Sequence, residues 1–298
     1  MQPELPKLIA LLGPTASGKS SLGIQLAREC NGEVASADSR QVYRGLDIGT
    51  GKVTQAQQSL IAHHLLDVVE PGSNFSVSAF QELAFGVIDD ILERNKLPVL
   101  VGGTALYAYA VIDNYQFVDV PENAELRAKL AALPLDRLQA MVPKKALNKD
   151  DYQNPRRLVR AIEKLKAGAP LKPTKGPTRY KPLIIGMNLP TEELYARIDK
   201  RVDERARGGM IEEVQALREA GISDAWLLGL GLEYKWVTEH LQGAYGRDEM
   251  LNRLKGAIHA FARRQMTWFK RDKRIVWVRN AREAENEARS FLEEKKKV

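Results

Sequence analysis

One cysteine in 298 residues, Cys30, rules out an intrachain disulfide and fits a reducing compartment. The four histidines, at positions 63, 64, 240 and 259, have no zinc-finger spacing with it or with one another. No apolar run approaches the ~20 residues that span a bilayer. The opening MQPELPK has no signal-peptide pattern and runs straight toward a first strand. A cytoplasmic protein without membrane association is therefore expected. Internal repeats and low-complexity tracts are absent too, which excludes repeat architectures. With 44% apolar residues, the chain can bury one sizeable core, or a core domain plus a smaller one.

The net charge of +7 is unevenly spread. Residues 121–181 hold 15 Lys/Arg against 6 Asp/Glu, and residues 249–274 hold 8 against 2, which leaves the rest of the chain at −8. Two basic stretches on an otherwise acidic chain are what a polyanion-binding surface requires. Solvated helix faces would give the same count, so charge alone leaves both readings open.

The first 115 residues alternate strand and helix patterns. Lys7–Leu12 reads as a buried strand and Ser20–Cys30 as a helix. EVASAD (33–38) reads as a second strand ending on an acid, and HHLLDVV (63–69) as a third. Ser78–Arg94 has helical periodicity, with Ser78 and Gln81 spaced as a capping box. LPVLVGGT (97–104) is a fourth strand broken by two glycines, followed by a helix from Thr104 to about Asp113. Such alternation implies a parallel sheet with helices on both faces, its strand ends converging at one edge. Residues 121–170 read instead as short helices, and 168–182 as a loop or linker. LIIGMNL (183–189) returns to the parent sheet, 191–220 and 249–273 are helical, and RIVWV (274–278) reads as a last strand. The expected organisation is an α/β, P-loop NTPase-like core (1–115 and 181–298) carrying an inserted, mainly helical domain (116–180).

Gly13, Pro14, Thr15, Ala16, Ser17, Gly18, Lys19 and Ser20 spell the P-loop pattern between a strand and a helix. Loop amides and the helix N-terminus can surround phosphate oxygens, Lys19 adds a point charge, and the Ser20 hydroxyl can ligate Mg²⁺. Such loops usually hold ATP or GTP. The apolar strand ending in a Walker-B Asp is missing, however, since VLVGGT ends in Gly-Gly-Thr. The candidate acid is Asp38, either an acceptor-side base or a helix N-cap.

GPTASGKS, SADSRQVYRGLDIGTGK, HHLLDVVEPGSNFSVSAF, LPVLVGGTALY, NPRRLVRAIE and FARRQMTWFKRDKRIVWV occur in this order. Together they closely resemble the tRNA isopentenyltransferase (tRNA dimethylallyltransferase) family from about residue 8 to 278. The resemblance implies transfer of a dimethylallyl group from dimethylallyl diphosphate to N6 of adenosine 37, in tRNAs reading codons that begin with U. It implies Mg²⁺, a departing diphosphate and a bound anticodon stem-loop; the protein is separately expected to be a monomer. It further implies that Asp38 is the base, that Thr104 lies beside it, and that Arg201 faces the diphosphate. By the same resemblance, Asp38, Ser39, Arg40 and Gln41 contact RNA, as do Arg156, Arg157, Leu158, Val159 and Arg160. The sequence departs from the family pattern at His259 and at GLEYK (231–235), which stands where a short Gly-Tyr-basic motif is usual. Rival readings are an adenylate isopentenyltransferase, a P-loop small-molecule kinase and a non-catalytic RNA-binding protein. The basic insert and the DSRQVYRG run count against the first two, and the intact P-loop with Asp38 and Thr104 against the third. Trp268 and Phe269 read as core. His63 and His64 read as strand-end packing residues.

Overall fold

The computed structural model describes residues 4–294. The first three residues of the N-terminal stretch read above, and the last four of the chain, lie outside them. The chain divides into two compact units, one running to Ile112 and resuming at Thr178, the other Asp113–Pro177.

The first unit opens with β1 (Lys7–Leu12), α1 (Lys19–Glu29), β2 (Gly32–Ser36), α2 (Gln55–Gln58), β3 (His63–His64), α3 (Val77–Glu93), β4 (Leu97–Gly102) and α4 (Ala105–Ile112). The second unit holds β5 (Tyr115–Gln116), α5 (Ala124–Ala131), α6 (Leu135–Ala140), α7 (Lys149–Tyr152), α8 (Pro155–Lys166) and β6 (Thr174–Lys175). The first unit then resumes with β7 (Lys181–Met187), α9 (Thr191–Arg207), α10 (Met210–Glu219), α11 (Asp224–Leu230), α12 (Leu232–Leu241), α13 (Arg247–Phe269), β8 (Val276–Val278) and α14 (Ala281–Glu293). No helix among the described residues is long and apolar enough to cross a membrane.

Six strands form one parallel sheet in the order β3-β2-β4-β1-β7-β8. A parallel sheet is covered on both faces, so its central strands are continuous apolar runs. Alternate residues choose the face: Ile9, Leu11, Val99, Val101, Ile185 and Met187 pack with Leu22 and Leu26 of α1 and with Ala284, Ala288 and Phe291 of α14. The opposite face meets α3 and α4. Each fully buried Leu or Ile contributes roughly 1.5–3 kcal/mol, so this register is strongly specified. β1 has β4 on one side and β7 on the other, and its carboxyl end lies at the sheet edge where such folds bind ligands.

Several expectations are corrected. The strand read over 63–69 is only His63–His64, because Leu65 (φ 64°) and Asp67 (φ 56°) are left-handed and cannot continue a pleat. A single bridge, Tyr43 to Val69, survives beyond it. The second strand stops at Ser36, two residues before the acid. Ser76, not Ser78, caps α3 by accepting from Ala79 N at 3.1 Å. Gln81 is instead drawn inside, donating to Ala110 O at 2.7 Å. The supposed linker contributes β6, which pairs antiparallel with β5. Phe269 is core as expected, but Trp268 is 39% exposed, with its ring against that of Tyr109. Helices α11, α12 and α14 were not expected.

Candidate active site

The loop between β1 and α1 has an unusual backbone. Gly13 lies at φ 152°, where a Cβ would sit 3.1 Å from that of Met187 on β7, so only glycine fits the passage. Ala16 (φ 63°) is held left-handed, a strain of the kind functional loops carry. Lys19 Nζ donates to Pro14 O at 2.6 Å. Although the residue as a whole is only half-buried, enclosure of its ammonium first and the Arg201 charge second bring its pKa down to about 7, with Asp38 opposing. Arg201 reaches in from α9, and its Nη2 donates to Thr15 Oγ1 at 2.5 Å. Burial first, and Arg205 second, bring its pKa down to about 10. Glu233 and Asp38 only partly offset the burial of the Arg201 charge, and Asp38 that of Lys19, so the pocket favours an anion. Among the described residues, Arg201 Nε and Ser17 Oγ are buried with no hydrogen-bond partner. Unpaired buried donors around a P-loop are what phosphate oxygens would satisfy.

Mg²⁺ is compatible with this loop through the substrate. Among the described residues no group of three or more His, Cys, Asp or Glu could hold a metal. Ser20, exposed in the first turn of α1, and the oxygens of a bound diphosphate are the ligands on offer. Mg²⁺ keeps several waters and is commonly held through substrate phosphates, so this sparse donor set fits it.

Asp38 sits past the end of β2, at the same sheet edge. Its Oδ1 accepts from Arg40 N at 2.9 Å and Gln41 N at 3.3 Å, so it caps a turn rather than a helix. Its Oδ2 makes no hydrogen bond among the described residues, which leaves one oxygen for chemistry. Thr104, past the end of β4, accepts from Ser39 N at 3.3 Å and joins the two loops. Gly103 approaches Lys19: a Cβ there would lie 3.7 Å from Nζ. The P-loop, Asp38, Thr104 and Arg201 are thus brought together. Arg40 and Gln41 are partly engaged within the protein, Arg40 near Glu233 (4.0 Å) and Gln41 accepting from Ser36 Oγ (3.1 Å).

Three residues missed from sequence belong to this constellation. Arg197 and Arg205 flank Arg201 at four-residue spacing, on one face of α9. Arg197 Nη1 would lie 3.8 Å from a Cβ on Gly18, and Arg205 donates to Gly49 O at 3.0 Å. Their spacing was the available signal. Gln265 on α13, 7% exposed, accepts from Thr15 N and donates to Gly103 O, both at 2.9 Å. One amide therefore ties the P-loop to the loop after β4, and nothing in the sequence marks it. His259 stacks on Tyr195 (centroids 4.1 Å apart), with Nε2 2.8 Å from Asp199 Oδ1. His64 pairs with Glu33 at 2.7 Å, and His63 Nδ1 lies 2.9 Å from Ile61 O.

The second unit has its own core of Leu130, Leu138, Val142, Leu158, Ala161 and Ile162. Leu158 is 0% exposed, so its side chain packs this core and offers RNA nothing, a correction to the contact set. Val159 packs against the same core from its edge. Asn154 caps α8 through Arg156 N and Arg157 N. Arg160 is turned toward the buried Glu163 (3.0 Å), which also holds Arg127, and Arg157 pairs with Asp151. Arg156 is exposed and makes no ion pair among the described residues.

The profile of the IPP transferase family matches residues 41–272 of the chain. The tRNA dimethylallyltransferase 2 of Syntrophotalea carbinolica is 46% identical over 284 residues, covering 92% of this chain and 94% of that protein. The tRNA dimethylallyltransferase 1 of Geotalea daltonii is 43% identical over 297 residues, covering 97% and 96%. The full-length tRNA isopentenylpyrophosphate transferase of Bacillus halodurans is similar in structure, with a TM-score of 0.73 at 35% identity over 96% of this chain and 95% of that one.

Proposed function

The chain belongs to the IPP transferase family, and from that premise we propose how its site works: it moves the dimethylallyl group of dimethylallyl diphosphate onto N6 of adenosine 37 in tRNAs reading codons that begin with U. The enzyme is a tRNA dimethylallyltransferase, a prenyltransferase. The observation that carries the mechanism is the meeting of an anion-seeking pocket (Lys19, Arg201, the loop amides) with a carboxylate, Asp38, at one sheet edge.

The donor's allylic C–O bond breaks as the new N–C bond forms, and the departing diphosphate takes the bonding electrons. Lys19 and Arg201 neutralise the charge growing on its oxygens, and Arg201 Nε and Ser17 Oγ supply donors that have no partner among the described residues. Ser20 and the diphosphate oxygens would hold Mg²⁺, which would supply further neutralisation of the leaving group. The adenine amine is barely acidic, so its proton moves to Asp38 Oδ2 as the bond forms rather than before. Thr104 holds the Asp38 loop through Ser39. The loop recognises phosphate oxygens and not a base, so it needs no nucleoside. Adenosine 37 leaves the anticodon-loop stack to reach the carboxylate. The protein acts as a cytoplasmic monomer.

The reading is tested by offering labelled dimethylallyl diphosphate together with tRNA, AMP or ATP. Label is expected in tRNA alone, and transfer to AMP or ATP would point to a free-nucleotide enzyme. In the second unit, Arg156 is the clearest phosphate contact. Arg156→Ala is expected to lower the slope of log K against log salt for anticodon stem-loop binding by about 0.7–0.9. Donor binding should be unchanged. An unaltered slope would remove Arg156 from the RNA interface.

A further inference from the structure

The segment Asp47–Lys52 folds into a tight turn, closed by Gly51 N to Ile48 O (3.1 Å) and Lys52 N to Asp47 O (2.9 Å). Three successive amides on it, those of Asp47, Ile48 and Gly49, point at one place. Such a concavity of N–H groups is ordinarily a site for an anion. Here the anion is built in. Glu213, in the first turn of α10, puts Oε2 on Asp47 N (2.9 Å) and Ile48 N (2.6 Å), and Oε1 on Gly49 N (3.0 Å). Tyr234 of α12, fully buried, donates its hydroxyl to the same Oε1 at 2.8 Å. An ionised carboxylate has about four lone-pair positions, and this one uses them all.

The turn is gripped from its other side as well. Arg205 Nη1 donates to Gly49 O and to Glu233 Oε1, both at 3.0 Å. Gly51 lies so close to this guanidinium that a Cβ would fall 1.6 Å from Nη2, at a φ of 62° that already favours glycine. The grip reaches Asp38 through one residue. Gln41 Nε2 faces Thr50 O and Gly51 O at 3.5 and 3.4 Å, while Gln41 N donates to Asp38 Oδ1. Among the described residues, none of the hydrogen bonds of Glu213 reaches Lys19 or Thr15.

We propose that Glu213, seated on the Asp47–Gly49 amides with Tyr234 behind it, is a positioning residue for the acceptor side of the transfer, holding the turn that orients Gln41 and, through it, the Asp38 carboxylate. The proposal rests on the functional reading above. Glu213 touches no reacting atom. Its effect is geometric, and misplacement of a reacting group by ~1 Å costs on the order of 100-fold in rate.

The test compares wild type with Glu213→Gln and Tyr234→Phe. Glutamine keeps the size but offers one acceptor oxygen, and its NH₂ faces a donor. In Glu213→Gln, hydrogen exchange at the Asp47–Gly49 amides is expected to quicken by about tenfold or more as the turn opens locally. The single-turnover rate on tRNA should fall by about 10- to 100-fold, while the dissociation constant for dimethylallyl diphosphate stays within a factor of about two. Tyr234→Phe removes one of four donors and keeps the carboxylate. It should show the same split at a few-fold size, and it carries the test if the glutamine variant does not fold. Faster exchange with an unchanged transfer rate would reduce Glu213 to a fold staple and overturn the proposal. So would a loss of donor affinity equal to the loss of rate. A wild-type enzyme that moves no label to tRNA would overturn the functional reading itself, whereas an active wild type beside an unaffected variant overturns this proposal alone.

Discussion

Lys19→Ala is expected to lower single-turnover transfer by about 10²–10³, the usual effect of removing one preorganised donor from a developing charge. Lys19 Nζ is enclosed beside Arg201 and rests on Pro14 O at 2.6 Å. Its ordinary charge is disfavoured there until an anion arrives, which is the condition of a group built for a ligand and not for the fold. Part of its contact exists before reaction, so donor affinity should also weaken, but by less than the rate. Rapid-quench measurements at saturating donor and tRNA, beside a donor titration, separate the two. Equal losses in affinity and overall turnover, with no change in the rate of the saturated complex, would make Lys19 a binding residue only. Melting should show no loss, since alanine removes a charge that is costly to enclose in the empty site.

Asp38→Asn is expected to cut turnover by about 10²–10⁴, the range for losing a general base. The substitution is chosen for what it keeps. Asparagine still offers an oxygen to Arg40 N and Gln41 N, so the turn at 38–41 should persist. It cannot take a proton on the second atom. Stem-loop affinity and donor affinity should both stay near wild type, with the loss confined to the chemical step. Transfer at the normal rate in this variant would leave Asp38 a turn cap and nothing more.

The sheet was legible because β1, β4 and β7 are largely apolar runs, with glycine directly after β1 and at the end of β4, and parallel strands need such runs. The P-loop was legible because glycine, lysine and serine have separate phosphate-binding jobs at fixed spacing. What escaped was set by tertiary context. Nothing local announces that Leu65 and Asp67 turn left-handed and cut β3 short. Glu213 reads in sequence as an acid complementing a helix N-terminus. Its actual partners are amides about 165 residues away. Gln265 sits unmarked in a basic helix, and its two backbone partners come from loops 250 and 162 residues away. Leu158 was placed among RNA contacts by resemblance, although its spacing with Ala161 and Ile162 already assigns it to the apolar stripe of α8. The arginines of α9 were half-seen: Arg201 by resemblance, Arg197 and Arg205 not at all, although a four-residue spacing carries all three.

The central claim is that this P-loop holds the diphosphate of a prenyl donor with no nucleoside attached. The most direct test uses nucleotide-free enzyme, tRNA, Mg²⁺ and labelled dimethylallyl diphosphate, and follows both products. The prediction is full transfer without ATP or GTP, with one diphosphate released for each adenosine modified. A strict requirement for ATP, with inorganic phosphate released in step with transfer, would contradict it.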